Sequence, residues 1–173
     1  GAVVIATDAG TLGTTTDNGD GTYTAVLTSS TTTGTATLSF TLDDVPAEAT
    51  ATVDFTSGTA DLTASTIEAD PTTLTADGSS TSTVTVRLVD ANGNPLTSGG
   101  GTVVVSTDVG SGGPTTDVGD GTYTAELTSA TTAGTATLSF TLDDVPAENT
   151  TAVELLAGAA DATTSTIEAA PTS

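Results

Sequence analysis

Residues Gly34 to Glu48 read GTATLSFTLDDVPAE, and the same fifteen residues return as Gly134 to Glu148. In the second copy Ala136, Leu138, Phe140 and Leu142 alternate with Thr and Ser. A period of two sends alternate side chains to opposite faces, so this stretch predicts a β-strand with one buried face. Nothing in it follows the 3.6-residue rhythm of a helix.

The duplication extends beyond these residues. Asp20-Gly21-Thr22-Tyr23-Thr24-Ala25 returns as Asp120 to Ala125, and Ser65 to Ala69 returns as Ser165 to Ala169. The offset is 100 throughout, and residues 1–73 match residues 101–173 at 50 of 73 positions without a gap. A fixed period of this kind marks repeated structural units. Pro and turn residues near Ser65 place the start of a unit there. The expected organisation is therefore the back part of one repeat (1–64), a complete repeat (65–164), and the first strand of a following one (165–173).

Inside the complete unit, Val84, Val86 and Leu88 alternate with Thr83, Thr85 and Arg87. Tyr123, Ala125 and Leu127 alternate with Thr122, Thr124 and Glu126, and Val153 and Leu155 repeat the pattern. Thr102 to Ser106 is a continuous apolar run, which predicts a strand buried on both faces. The first strand is expected within Ile67 to Thr75. Asp90 to Pro95, with its Asn-Gly pair, predicts a hairpin turn. Gly110 to Gly121 reads as a loop. About seven short strands in a unit of this length, with outward Thr, predict an all-β fold: immunoglobulin-like β-sandwich repeats in tandem.

The composition removes several classes of function. The 173 residues carry 22 acidic and one basic side chain, a formal net charge of −21, with no Cys or His. Disulfides, thiolate or imidazole metal sites and His-based triads are excluded. There is no Lys, so Schiff-base chemistry and Lys–Asn isopeptide crosslinks are excluded as well. Arg87 alone makes no basic patch, which argues against nucleic acid as a partner. No apolar run is long enough to span a bilayer, so no membrane insertion is expected in this segment. The near-absence of Lys and Arg suggests an exported or high-salt protein, and the start at Gly1 suggests a processed or trimmed product.

Two stretches resemble the bacterial immunoglobulin-like repeats of invasin- and intimin-type surface proteins. They are ADPTTLTADGSSTSTVTVRLVDANGNP (69–95) and DGTYTAELTSATTAGTATLSF (120–140). The Gly-Asp-Gly-Thr-Tyr motif is also similar to filamin repeats. The resemblance implies an extracellular or cell-surface stalk of tandem domains.

Candidate sites are few. Calcium takes six to eight oxygen ligands. Asp43, Asp44 and Glu48, their copies Asp143, Asp144 and Glu148, and Glu68 and Asp70 at the junction could supply some of them; the plainer reading is a set of solvated acidic loops. Asp17 to Gly21 resembles part of a calcium loop, against a Gly-rich turn as the alternative. No cofactor other than calcium is suggested. Asn149-Thr150-Thr151 is a glycosylation sequon. Arg87 is expected to pair with an acid across strands. Tyr23 and Tyr123 are expected in the core, with each hydroxyl on a nearby backbone group.

The leading expectation is a non-catalytic extracellular structural or adhesive stalk or fibre, whose partners are neighbouring repeats or copies of itself. The alternative is a filament subunit that donates Ser165, Thr166, Ile167, Glu168 and Ala169 as a strand to another copy. Paired carboxylates without a Trp platform argue weakly for a glycosidase, and short Thr-x-Thr patches argue weakly for a carbohydrate- or ice-binding face.

Overall fold

The computed structural model describes residues 1–168, and every regular element among them is a β-strand. In the second unit two sheets face each other. One runs Thr73–Thr75, Thr151–Leu156, Gly134–Leu142, Val103–Thr107 in spatial order, with Val145–Pro146 also paired to Gly134–Leu142. The other runs Ser111–Gly112, Thr122–Thr128, Thr81–Arg87, Thr66–Asp70, with Thr116–Asp117 also paired to Thr122–Thr128. All pairs are antiparallel except Thr73–Thr75 with Thr151–Leu156, which is parallel.

The core lies between the sheets and uses the alternating residues. Val84, Val86, Leu88, Tyr123 and Leu127 from one side pack with Leu138, Phe140, Val153 and Leu155 from the other. Burying each large side chain contributes about 1.5–3 kcal/mol. Thr and Glu fill the opposite faces.

Three local expectations need correction. The expected first strand is two strands. Thr66–Asp70 pairs with Thr81–Arg87, and Thr73–Thr75 crosses to the other sheet beside Thr151–Leu156. Pro71 has no N–H to continue the first ladder, so the chain changes sheets there. The buried Ser82 hydroxyl donates to the Pro71 carbonyl at 2.8 Å and satisfies it at the crossing. The apolar run Val103–Thr107 is not buried on both faces. It is an edge strand, Val103 and Val105 face the core, and Val104 is 46% exposed. The Gly110–Gly121 loop carries two short strands, because the long strand Thr122–Thr128 offers a free ladder edge.

The first unit repeats one sheet almost completely. Val3–Thr7, Gly34–Leu42, Ala51–Phe55 and Val45–Pro46 pair in the register of their counterparts: Val3 lies opposite Leu42 as Val103 lies opposite Leu142. Among the described residues the facing sheet of this unit has no counterpart of Thr66–Asp70 or Thr81–Arg87. Without that ladder the long strand of the second unit is reduced to Tyr23–Thr24 and Leu27–Thr28, paired only with Thr16–Asp17 and Thr11–Leu12. One face of the apolar sheet is left open. Phe40 is 38% exposed where Phe140 is 1% exposed, although fifteen residues around them are identical.

A glycine pair reports the same difference. Gly121 has φ +80, and a Cβ there would lie 2.7 Å from both the Cβ and the carbonyl oxygen of Leu96. Gly21 has φ +90, but a Cβ there meets nothing within 4 Å. Both Gly→Ala changes carry a left-handed penalty of about 1–2 kcal/mol. Gly121→Ala adds a backbone clash and is expected to lower the denaturant midpoint distinctly more than Gly21→Ala; equal shifts would contradict the packing of Leu96.

Candidate functional site

The most densely bonded polar cluster lies between the two units. The Asp90–Asn94 turn forms as the Asn-Gly pair predicts: Gly93 has φ +81, and the Asp90 N–H donates to the Asn94 carbonyl at 2.9 Å. Its side chains do more than close a turn. Asp90 is 4% exposed. Its Oδ1 accepts the N–H groups of Asn92 and Asn94, both at 2.9 Å, and its Oδ2 accepts the Gly58 N–H from the end of the first unit at 2.9 Å. The Asn94 amide donates to Asp90 and also to the Thr31 carbonyl at 2.8 Å, while its Oδ1 accepts the Thr33 N–H at 3.2 Å. One carboxylate and one amide thus hold two separate segments of the preceding unit.

The connecting chain is tied down too. Ala60 bridges Asp90 in antiparallel fashion, and the Asp61 N–H donates to the Val89 carbonyl at 2.8 Å. Ser65 is fully buried; its hydroxyl donates to the Asp61 carbonyl and accepts the Val89 N–H. Ala60 and Leu62 pack against the core of the second unit. Asp61 shapes the turn by accepting the hydroxyl and N–H of Thr63 and the N–H of Ala64.

These bonds set the electrostatics. The Asn94 side-chain amide, then the Gly58 N–H, lower the Asp90 pKa to about 2 against the opposing effect of burial. Asp61 is lowered chiefly by the Thr63 hydroxyl. Asp77, on the far loop, lies well below the usual carboxylate range because the N–H groups of Ser80 and Ser79 and the Ser80 hydroxyl donate to it.

The residues singled out from sequence have other surroundings. Asp43 and Asp44 have φ 51 and 65, and Asp143 and Asp144 have φ 48 and 66. They are the central residues of two-residue hairpins in which Leu42 faces Val45 and Leu142 faces Val145. Asp tolerates that backbone because its short polar side chain bonds locally. The carboxylates of Asp43 and Asp143 accept the N–H groups of Ala2 and Thr102, each at 2.8 Å. Glu48 and Glu148 follow those hairpins, and Glu68 and Asp70 lie on the strand Thr66–Asp70 with exposed side chains. Among the described residues no three acidic groups come close enough together to hold a metal ion. Asp17 and Asp20 each accept N–H groups of their own turn. Melting in excess chelator at constant ionic strength is accordingly expected to match melting without it; a lowered Tm would reinstate a cation site.

Asn149 is half-buried, and its amide donates to the carbonyls of Thr63 at 3.1 Å and Ser65 at 2.6 Å. A glycan on that nitrogen would have to displace a bond that anchors the junction. Arg87 faces Thr66 and Thr122 across its two ladders, so the expected acid is not its cross-strand neighbour. Tyr123 is buried, donates to the Gly101 carbonyl at 2.7 Å and accepts the Gly100 N–H at 3.0 Å. Ser165 folds back onto Asp161, Ile167 is 99% exposed, and Ala169 lies outside the described residues. No described helix is long and apolar enough to cross a membrane. The roles of Asp90 and Asn94 were not read from sequence. The available signal was a turn with three polar side chains, Asp90, Asn92 and Asn94, where a hairpin needs fewer.

The family model described as invasin, domain 3, matches residues 1–58 and 61–158. The chain belongs to the invasin domain 3 family. Solved structures agree with that membership. The chain is similar to invasin, a bacterial integrin-binding protein, at 30% identity and TM-score 0.55 over 90% of this chain and 32% of that one. It is similar to Yersinia pseudotuberculosis InvD at 28% identity and TM-score 0.65, over 96% of this chain and 50% of that one. It is similar to the Escherichia coli adhesin FdeC at 26% identity and TM-score 0.67, over 92% of this chain and 52% of that one. The chain thus spans about half the length of the InvD and FdeC structures. No curated protein sequence matches. The fold is the immunoglobulin-like sandwich of these invasin-type domains, and an adhesin-type domain suits a stalk.

Proposed function

We propose that this chain is part of an extracellular adhesive stalk, in which consecutive repeats with a boundary near Ser65 are held at a set angle and perform no catalysis. The observation that carries this reading is the Asp90–Asn94 clasp. A stalk transmits position only if its joints resist bending, and here part-buried hydrogen bonds reach from one turn into two segments of the preceding unit. The family supports the surface setting. The net charge of −21 supports spacing between parallel stalks by repulsion that salt screens.

The joint is tested by distance. The chain has no Cys, so spin labels at Val26→Cys and Val118→Cys, both at exposed positions, report only the angle between units. A narrow distance distribution that broadens with Asn94→Ala is expected. A distribution equally broad in both proteins would remove the stiff joint and with it the stalk reading. Labelling of intact cells by antibody against the chain tests the surface location.

A further inference from the structure

The chain has four Asn side chains, at positions 18, 92, 94 and 149, and no Gln. Two of them precede glycine, in Asn18-Gly19 and Asn92-Gly93. A glycine nitrogen, with no Cβ beside it, is the least hindered backbone nucleophile toward a side-chain amide on the preceding residue. By sequence the two pairs are equivalent; the structure separates them. We propose that Asn92 is a site of spontaneous succinimide formation, and that the isoaspartate it yields unfastens the joint between the units.

The step needs a free Gly93 nitrogen and a mobile Asn92 side chain. That side chain is exposed and, among the described residues, bonds to nothing; only the Asn92 backbone N–H is held, by Asp90 Oδ1 at 2.9 Å. A Cβ at Gly93 would meet nothing within 4 Å, so the space around the turn is open. One neutral bond restrains the nucleophile, from the Gly93 N–H to the Asp90 carbonyl at 2.9 Å. At Asn18 both reacting groups are held. Its Nδ2 donates to the Thr22 hydroxyl at 2.9 Å, and the Gly19 N–H donates to the Asp17 carboxylate at 2.8 Å. The other two amides are barred. Asn94 is 9% exposed, its amide is bonded to Asp90 and Thr31, and Pro95 has no N–H. Asn149 donates to two carbonyls and precedes the β-branched Thr150.

The reaction balances with water alone. The Gly93 nitrogen loses its proton and bonds to the Asn92 Cγ, the bond from Cγ to the amide nitrogen breaks, and ammonia leaves. Water then adds to one of the two ring carbonyls. Opening at the side-chain carbonyl gives Asp; opening at the backbone carbonyl gives isoaspartate, whose main chain runs through Cβ. The second product inserts an extra carbon between Asp90 and Asn94 and puts a negative charge beside the Asp90 carboxylate. In the unmodified turn Asp90 Oδ1 accepts the N–H groups of Asn92 and Asn94 together, both at 2.9 Å, and a lengthened turn cannot present both. Asn94 is then displaced from Thr31 and Thr33. The effect on the joint rests on the stiff-joint reading above; the chemistry does not.

The test ages the full chain in mildly alkaline buffer and follows each Asn by peptide mapping, with mass spectrometry that distinguishes Asp from isoaspartate. In the folded chain Asn92 should react about tenfold or more faster than Asn18, whose reacting groups carry one charge-assisted bond and one side-chain bond. In guanidinium chloride the two should react at nearly equal rates, since each precedes glycine. Asn94 and Asn149 should stay intact in the folded chain. The fraction with isoaspartate at position 92 should exchange the Gly58 and Thr33 amides about tenfold faster than fresh protein. The Asn92→Ser chain, aged in the same way, should keep the exchange of fresh protein. Asn18 reacting as fast as Asn92 in the folded chain overturns the assignment of the site. Unchanged exchange at Gly58 and Thr33 in the isoaspartate fraction overturns its effect on the joint. A broad label distance in fresh protein removes the stalk reading and leaves the reactivity of Asn92 standing; a narrow one with unreactive Asn92 removes this proposal alone.

Discussion

Phe140→Ala should lower the stability of the second unit by about 3–5 kcal/mol, whereas Phe40→Ala should lower that of the first by about 1 kcal/mol. The two side chains share an identical fifteen-residue neighbourhood, so local propensity cancels between them. Phe140 is 1% exposed and lies between two sheets, and its removal leaves a cavity that its neighbours cannot close. Phe40 borders an open groove, where water replaces the lost ring at little further cost. For a domain of about 100 residues each kcal/mol moves Tm by about 4–8 °C, so Phe140→Ala should melt more than 10 °C early. Calorimetry of the two variants decides the matter. Equal losses would mean that the first unit is as closed as the second.

Removing the Asp90 carboxylate should open the joint. In Asp90→Ala the Gly58 N–H and the Asn94 amide lose a charged acceptor, and Asn94 loses the contact that aims it at Thr31 and Thr33. Loss of such a charge-assisted bond should speed exchange at Gly58 and Thr33 by about tenfold or more. Acid should do the same reversibly. The folded-state pKa of Asp90 is depressed to about 2, so its contribution is complete above the ordinary Asp value of about 4 and is lost as pH falls toward about 2. Asp61, beside it on the connecting chain, is depressed in the same direction. Asp90→Asn separates the two: exchange at Gly58 should accelerate between pH 4 and pH 2 in the native chain and much less in the variant. Identical pH profiles would remove Asp90 from the clasp.

The parts of the chain were not equally legible. Alternation along Thr81–Arg87, Thr122–Thr128 and Gly134–Leu142 identified the buried residues, because a period of two leaves no other arrangement of apolar side chains on a sheet. The run Thr102–Ser106 misled, since three successive Val residues carry no alternation, yet Val104 points to the outer face of a two-layer sandwich, which no second layer covers. Asp43-Asp44 drew a metal reading because two adjacent carboxylates look costly. Their backbone forms a two-residue hairpin turn, and dihedral angles are invisible to composition. The turn at Asp90 was visible, but its function was not, because the partners Thr31, Thr33 and Gly58 offer backbone groups that every residue has.

By itself the sequence determined the repeat, the strands, the sandwich and the exclusion of Cys, His and Lys chemistry. These follow from short-range pattern and from which functional groups exist at all. Only the tertiary structure decided which turn becomes a joint. That outcome depends on what lies across a gap in space: Asp90 and Asn94 bind backbone groups of Gly58, Thr31 and Thr33 that no side-chain pattern marks.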